Sequence, residues 1–124
     1  MNSGHTITTE ASRARIKVVI GGETLADSER AVLLHETGMP TRYYLPRDDV
    51  RMDRLVATDM TTMCPFKGDA QYWSARVGDR ELTGVAWSYP EPIAGREDIA
   101  GLISFFNERV DELTVDGALV ESAP

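Results

Sequence analysis

The chain has 124 residues, a formal net charge of −7 and 42% hydrophobic against 27% charged residues, the balance of an ordinary globular domain and not of a disordered chain. No cluster of Lys and Arg offers a surface for a phosphate backbone or an anionic membrane, and no apolar run nears the roughly 18 residues that span a bilayer. Nucleic-acid and membrane partners are therefore excluded, and a cytoplasmic address is expected.

Residues 1–13 are polar and rich in Ser and Thr, with no apolar stretch of the kind a secretory signal needs. They are expected to form a flexible lead-in to a single domain over residues 14–120, with 121–124 as a frayed tail. Ile16, Val18, Val19 and Ile20 make a β-branched strand. Gly21-Gly22 then supplies the positive φ angles of a two-residue hairpin turn before Glu23 to Asp27. In that register Val18 faces Leu25, and one face of the hairpin is apolar.

Ala31, Val32, Leu33 and Leu34 form a short apolar run read as a strand. Thr41 to Leu45 is a further strand, with Tyr43 and Tyr44 on opposite faces. Asp48 to Leu55 is expected to form a short helix capped by Asp48. Tyr72 to Val77 and Arg80 to Trp87 flank Gly78-Asp79, the glycine-first signature of a type II′ hairpin. Its register predicts Ala75 opposite Leu82, Trp73 opposite Gly84, Arg76 opposite Glu81 and Ser74 opposite Thr83. Gly101 to Val115 fits either a helical stripe or buried strands and is read as two strands turning near Asn107-Glu108. The expected fold class is mainly β, with one or two short helices.

Unusual residues concentrate between Arg51 and Tyr89, where five of the nine aromatics fall between Phe66 and Tyr89. This stretch holds Arg51-Met52-Asp53, the loop Cys64-Pro65-Phe66-Lys67-Gly68, and Trp87-Ser88-Tyr89-Pro90. A tight loop that combines a thiol, an amine and aromatics is the kind of place where a rigid sheet presents function.

These blocks, with Gly21-Gly22, Tyr43-Tyr44-Leu45-Pro46 and the signature Thr62-x-Cys64-Pro65-Phe66-Lys67-Gly68-x-Ala70, resemble the family called "domain of unknown function four hundred and twenty-seven", sometimes labelled nucleotidyltransferase-like. The resemblance runs from about Ile16 to Gly117. Many relatives carry Tyr at the position of Phe66. The resemblance implies a β-tent-like fold, two antiparallel sheets meeting at an angle, similar to methionine sulfoxide reductase type B and the ligand-binding domain of cereblon. Many proteins of that fold join the sheets with zinc held by paired Cys-x-x-Cys motifs. With Cys64 as the only cysteine, this chain has no such motif and no intrachain disulfide, so packing alone must hold the sheets and no metal is expected. The nucleotidyltransferase label has no support in the residues: a Gly-Ser loop followed by paired aspartates is absent, as is a Gly-rich phosphate loop.

The ligand-binding candidates are Arg51, Thr62, Cys64, Lys67, Tyr72, Trp87 and Tyr89, and the catalytic candidates are Cys64 and Lys67. Lys67 can hold an anion or, if desolvated, act as a nucleophilic amine. Cys64 is either a thiolate activated by nearby cations or a small buried hydrophobe, and it has no resolving partner in the chain. Arg51 and Asp53, two apart in sequence, are expected to point away from each other and to seek other partners. Trp87 and Tyr89 share a strand parity and can form one aromatic wall, whereas Trp73 belongs to the core. His35, beside Glu36, is read as an exposed structural residue.

Three functions stay open on these residues. The first is a small-molecule-binding domain, enzymatic or not, with its groove around the Cys64 to Gly68 loop. The second is an enzyme centred on the Cys64 thiol, and the third is a non-catalytic structural or protein-interaction module. No cofactor is implied. Exposed strand edges are compatible with a homodimer.

Overall fold

The computed structural model describes residues 5–120. Among these residues eleven strands follow in order: β1 (Ile7–Ala11), β2 (Ile16–Ile20), β3 (Glu23–Ser28), β4 (Val32–Glu36), β5 (Arg42–Leu45), β6 (Leu55–Cys64), β7 (Gly68–Val77), β8 (Arg80–Ser88), β9 (Ile103–Phe105), β10 (Glu112–Val115) and β11 (Ala118–Leu119). They form two antiparallel sheets. The larger has the order β1-β4-β5-β9-β8-β7-β6 and the smaller β11-β10-β2-β3. Among the described residues the helical content is three short 3-10 turns, Arg47–Asp49, Met52–Arg54 and Glu97–Ile99. Among the described residues no helix is long and apolar enough to cross a membrane, and no group of three or more His, Cys, Asp or Glu is placed to hold a metal ion.

The alternation of side chains along each strand assigns the two faces of the large sheet. Leu45, Ala75, Val85, Ala86, Ile103 and Phe105 join Ile16, Val18, Ile20, Leu25 and Leu113 of the small sheet in the main core. Each of the larger side chains buried there contributes roughly 1.5–3 kcal/mol. The neighbours of opposite parity, Leu34, Tyr44 and Trp87, form a second cluster with Ala70, Tyr89 and Ile99 on the other face. The Glu97–Ile99 turn lies over this outer face and buries Ile99 completely.

Several expectations need correction. Residues 7–11 of the expected lead-in are a strand, because Ile7, Thr8 and Thr9 suit an extended edge and pair with β4 from Ile7↔Glu36 to Ala11↔Val32. Residues 1–4 and the expected tail 121–124 lie outside the described residues. The helix expected over Asp48 to Leu55 is two separate 3-10 turns, and Asp48 sits inside the first instead of capping it. Val50 interrupts them in extended conformation, paired with Ala26, while the Arg51 N–H donates to the Leu25 carbonyl at 2.7 Å. The pull of β3 on this segment overrides its helical tendency.

Both hairpins have the expected turn positions, and both slip beyond a bulge. Gly21 and Gly22 have φ of +60° and +78°, and Ile20 pairs with Glu23. The ladder then shifts so that Val18 faces Ala26 and not Leu25. In the β7–β8 hairpin Ala75↔Leu82 and Arg76↔Glu81 hold, but Trp73 faces Ala86 in place of Gly84, and Ser74↔Thr83 is not formed. The cause is Gly84, which has φ of +61° and donates its N–H to the Ser74 hydroxyl at 3.2 Å. Beyond residue 101, β9 joins the large sheet and β10 the small one.

Candidate functional site

The loop between β6 and β7 closes tightly: the Lys67 N–H donates to the Cys64 carbonyl at 3.2 Å, and Cys64 pairs with Gly68. Gly68 has φ of +121°, and a Cβ there would stand 3.1 Å from Pro92 Cα. The loop is thus fastened to the chain after β8, with the Ile93 N–H donating to the Lys67 carbonyl at 2.9 Å. Only glycine allows both the conformation and the approach.

This fastening carries the Lys67 side chain over the outer face, where its ammonium donates to Glu36 Oε1 at 2.8 Å and lies 5.9 Å from the centroid of the Tyr89 ring. Both partners are largely withdrawn from water, with side-chain exposures of 12% and 13%. The second oxygen of Glu36 meets His5 Nε2 at 3.1 Å, and the His5 ring lies 4.4 Å from Phe66 of the same loop. Burial pushes the Glu36 carboxyl up, but Lys67 and then His5 outweigh it and hold the group below its ordinary value.

A second ion pair stands across the aromatic floor. Arg42, at the start of β5, donates to Glu108 at 2.9 Å and lies over the rings of Trp87 and Phe106 at 5.2 and 5.4 Å. The hydrogen bond from Arg42 lowers the Glu108 carboxyl. Trp87 Nε1–H donates to the Tyr44 hydroxyl at 3.0 Å, and the two rings meet edge to face. The Tyr72 ring runs parallel to Phe106 at 6.4 Å and its hydroxyl shares a 2.8 Å hydrogen bond with Thr62. Burial raises the Tyr44 and Tyr89 phenols well above the ordinary tyrosine value, so both stay protonated well past physiological pH.

Between these groups opens a cavity of about 140 Å³. Tyr72, Trp87, Tyr89 and Phe106 give it aromatic walls, Leu34, Met39 and Pro40 close one side, and Glu36, Arg42 and Lys67 supply its charge. Of the seven ligand-binding candidates, Lys67, Tyr72, Trp87 and Tyr89 line it. Cys64 packs against the aromatic cluster without lining the cavity, and Thr62 reaches it only through the Tyr72 hydroxyl.

Arg51 lies elsewhere. It forms a two-point ion pair with Asp53 at 3.0 and 2.9 Å and approaches Glu23 at 3.6 Å. The expectation that Arg51 and Asp53 do not meet assumed a regular strand or helix. Arg51 instead has φ of −74° and ψ of +79° at the entry to a 3-10 turn, and its long side chain folds back.

Glu36, Arg42 and Phe106 were not among the candidates. A signal for the first two exists in strand parity: Glu36 shares a face with Leu34, and Arg42 with Tyr44. Phe106 carries no such signal, since it follows the end of β9. His35 points away from the cavity and pairs with Glu10 at 2.9 Å and Thr41 at 3.0 Å.

No curated protein matches the chain. A family model labelled NTP_transf_9 matches residues 8–116, nearly the whole of the described chain. The protein therefore belongs to the family described as Domain of unknown function (DUF427).

Proposed function

We propose that the protein is a small-molecule-binding domain whose ligand sits in the cavity between the Cys64 to Gly68 loop and the aromatic cluster on the outer face of the large sheet. The observation that carries this reading is the convergence of four aromatic side chains and three charged ones on one opening, drawn from β4, β5, β7, β8 and three loops. Concave, largely apolar sites with a few placed polar groups are where small molecules bind. Lys67 and Arg42 serve as donors to the ligand, and the aromatic walls orient its flat body.

The test is a thermal-shift screen of metabolites and nucleotides on the wild type and on Met39→Trp. Met39 is 54% exposed at the rim, so an indole there plugs the opening without disturbing the core. A ligand present at 100 times its Kd adds about 2.7 kcal/mol, a shift of roughly 10 °C for a chain of this size. Stabilisation of the wild type that disappears in Met39→Trp is the expected result. Equal shifts in both proteins would place binding elsewhere. No shift with any compound would favour a structural role for the loop, in which the Lys67–Glu36–His5 chain only staples it to the sheet.

A further inference from the structure

We infer that the ligand of this cavity is a small, flat monoanion, a single-ring carboxylate of about the size of benzoate; the inference rests on the binding reading above. Size is the first consideration. The cavity measures about 140 Å³, and a protein cavity of about 150 Å³ accepts benzene, so one six-membered ring fits with a substituent directed at the polar rim. Shape is the second, because the Tyr72 ring, parallel to Phe106 within 1°, carries no cation among the described residues and offers a flat wall.

Charge decides the class. Lys67 and Arg42 stand in the lining with Glu36, and Glu108 balances Arg42 from outside it. Among the described residues the Lys67 ammonium makes one hydrogen bond, to Glu36, so two of its three N–H groups are free for an acceptor. Arg42 and its partner Glu108 differ in exposure, with side chains 10% and 44% accessible. An incoming carboxylate can replace Glu108, which then hydrates in bulk water, while the guanidinium keeps its place over Trp87 and Phe106. A cationic ligand finds less. Three of the four aromatic rings in the lining already carry a cation, Trp87 that of Arg42, Phe106 those of Arg42 and Arg109, and Tyr89 that of Lys67, which leaves Tyr72 alone.

The experiment titrates benzoate, benzamide and benzylamine, equal in size and different in charge, into the full-length nitrogen-15-labelled protein and follows the Trp87 indole N–H signal. Benzoate is expected to bind at least tenfold more tightly than either of the others. Lys67→Gln is expected to weaken benzoate about tenfold. Glu108→Gln, which removes the carboxylate competing for Arg42, is expected to tighten it severalfold, a gain that loss of folding cannot mimic. Benzamide or benzylamine binding as tightly as benzoate would overturn the anionic class and leave the cavity reading intact. No response to benzoate would overturn the class as well. Responses to all three compounds that persist in Met39→Trp would overturn the cavity reading itself.

Discussion

Replacing Lys67 by Met removes the main partner of a carboxylate that is only 13% exposed. Breaking a fully buried pair costs about 3–5 kcal/mol, and an exposed pair contributes up to about 1 kcal/mol. Glu36 lies nearer the first case but keeps His5 on its other oxygen, so the expected loss at neutral pH is about 2–3 kcal/mol. Unfolding entropy of about 2.1 cal/mol/K per residue makes this a fall in Tm of roughly 8–12 °C. Chemical denaturation of four proteins tests it: wild type, Lys67→Met, Glu36→Gln and the double variant. Glu36→Gln should destabilise the wild type, where it leaves an ammonium without its anion, and should stabilise Lys67→Met, where it removes a largely buried charge that has only His5 beside it. An equal effect in both backgrounds would refute the coupling.

The pH dependence has a definite sign. In the wild type the Glu36 carboxyl lies below its ordinary value. Its stabilisation is present above the unfolded-state value and is lost as pH falls through the lower folded one. In Lys67→Met the desolvation that raises the group loses its main opponent, so the carboxyl moves up and the charged form becomes a cost. That cost is relieved as pH falls. The stability gap between the two proteins should therefore begin to narrow as pH falls through the raised value of the variant and close only below the lowered value of the wild type. A gap that stays constant across this range would mean that Lys67 stabilises through its packing and not through its charge.

Three further outcomes follow from the same geometry. Gly68→Ala would bring a Cβ to 3.1 Å from Pro92 Cα and 3.3 Å from the Glu91 carbonyl, both backbone atoms, at a φ of +121°; the expected loss is about 2–3 kcal/mol in urea unfolding, and a loss under about 1 kcal/mol would contradict it. Tyr44→Phe deprives the Trp87 indole N–H of its acceptor in a fully buried setting, which should cost about 1–3 kcal/mol and move the indole N–H resonance, whereas an unchanged unfolding midpoint would refute the bond. Of the four tyrosines, Tyr44 and Tyr89 are held neutral by burial, so tyrosinate absorbance of the folded protein at about pH 11 should fall short of that in denaturant by at least two residues.

Local features of the fold were legible in the sequence because they depend on neighbouring residues. Gly21-Gly22 and Gly78-Asp79 mark their turns, and the parity of Tyr43 against Tyr44 and of Trp87 with Tyr89 sends each to its face. Features set by distant chain were not. Val50 is drawn out of a helix by Ala26, and Ile7 to Ala11 becomes a strand by pairing with the edge of β4. The candidate site divides in the same way. Lys67, Tyr72, Trp87 and Tyr89 were legible from one dense stretch of sequence, but Glu36, Arg42 and Phe106 reach them through a strand order that places β5 and β9 between β4 and β8.

That strand order also bears on what the site is for. The inner face of the large sheet is filled by aliphatic side chains and Phe105 packed against the small sheet, which gives the fold its main core without any ion pair. On the outer face, Lys67–Glu36 and Arg42–Glu108 stand at the edge of an aromatic cluster that apolar side chains of similar volume could have completed. Withdrawing charges from water for a purely structural purpose is at best neutral, since packed hydrophobic replacements are often as stable or more so. A stapling role explains one such pair, by holding the Cys64 to Gly68 loop, but it leaves Arg42 over Trp87 and Phe106 without a purpose. Two cations facing one cavity, Arg42 from β5 and Lys67 from the Cys64 to Gly68 loop, each with a carboxylate that can be exchanged or shared, favour the proposed site, in which ligand binding rearranges the pairing.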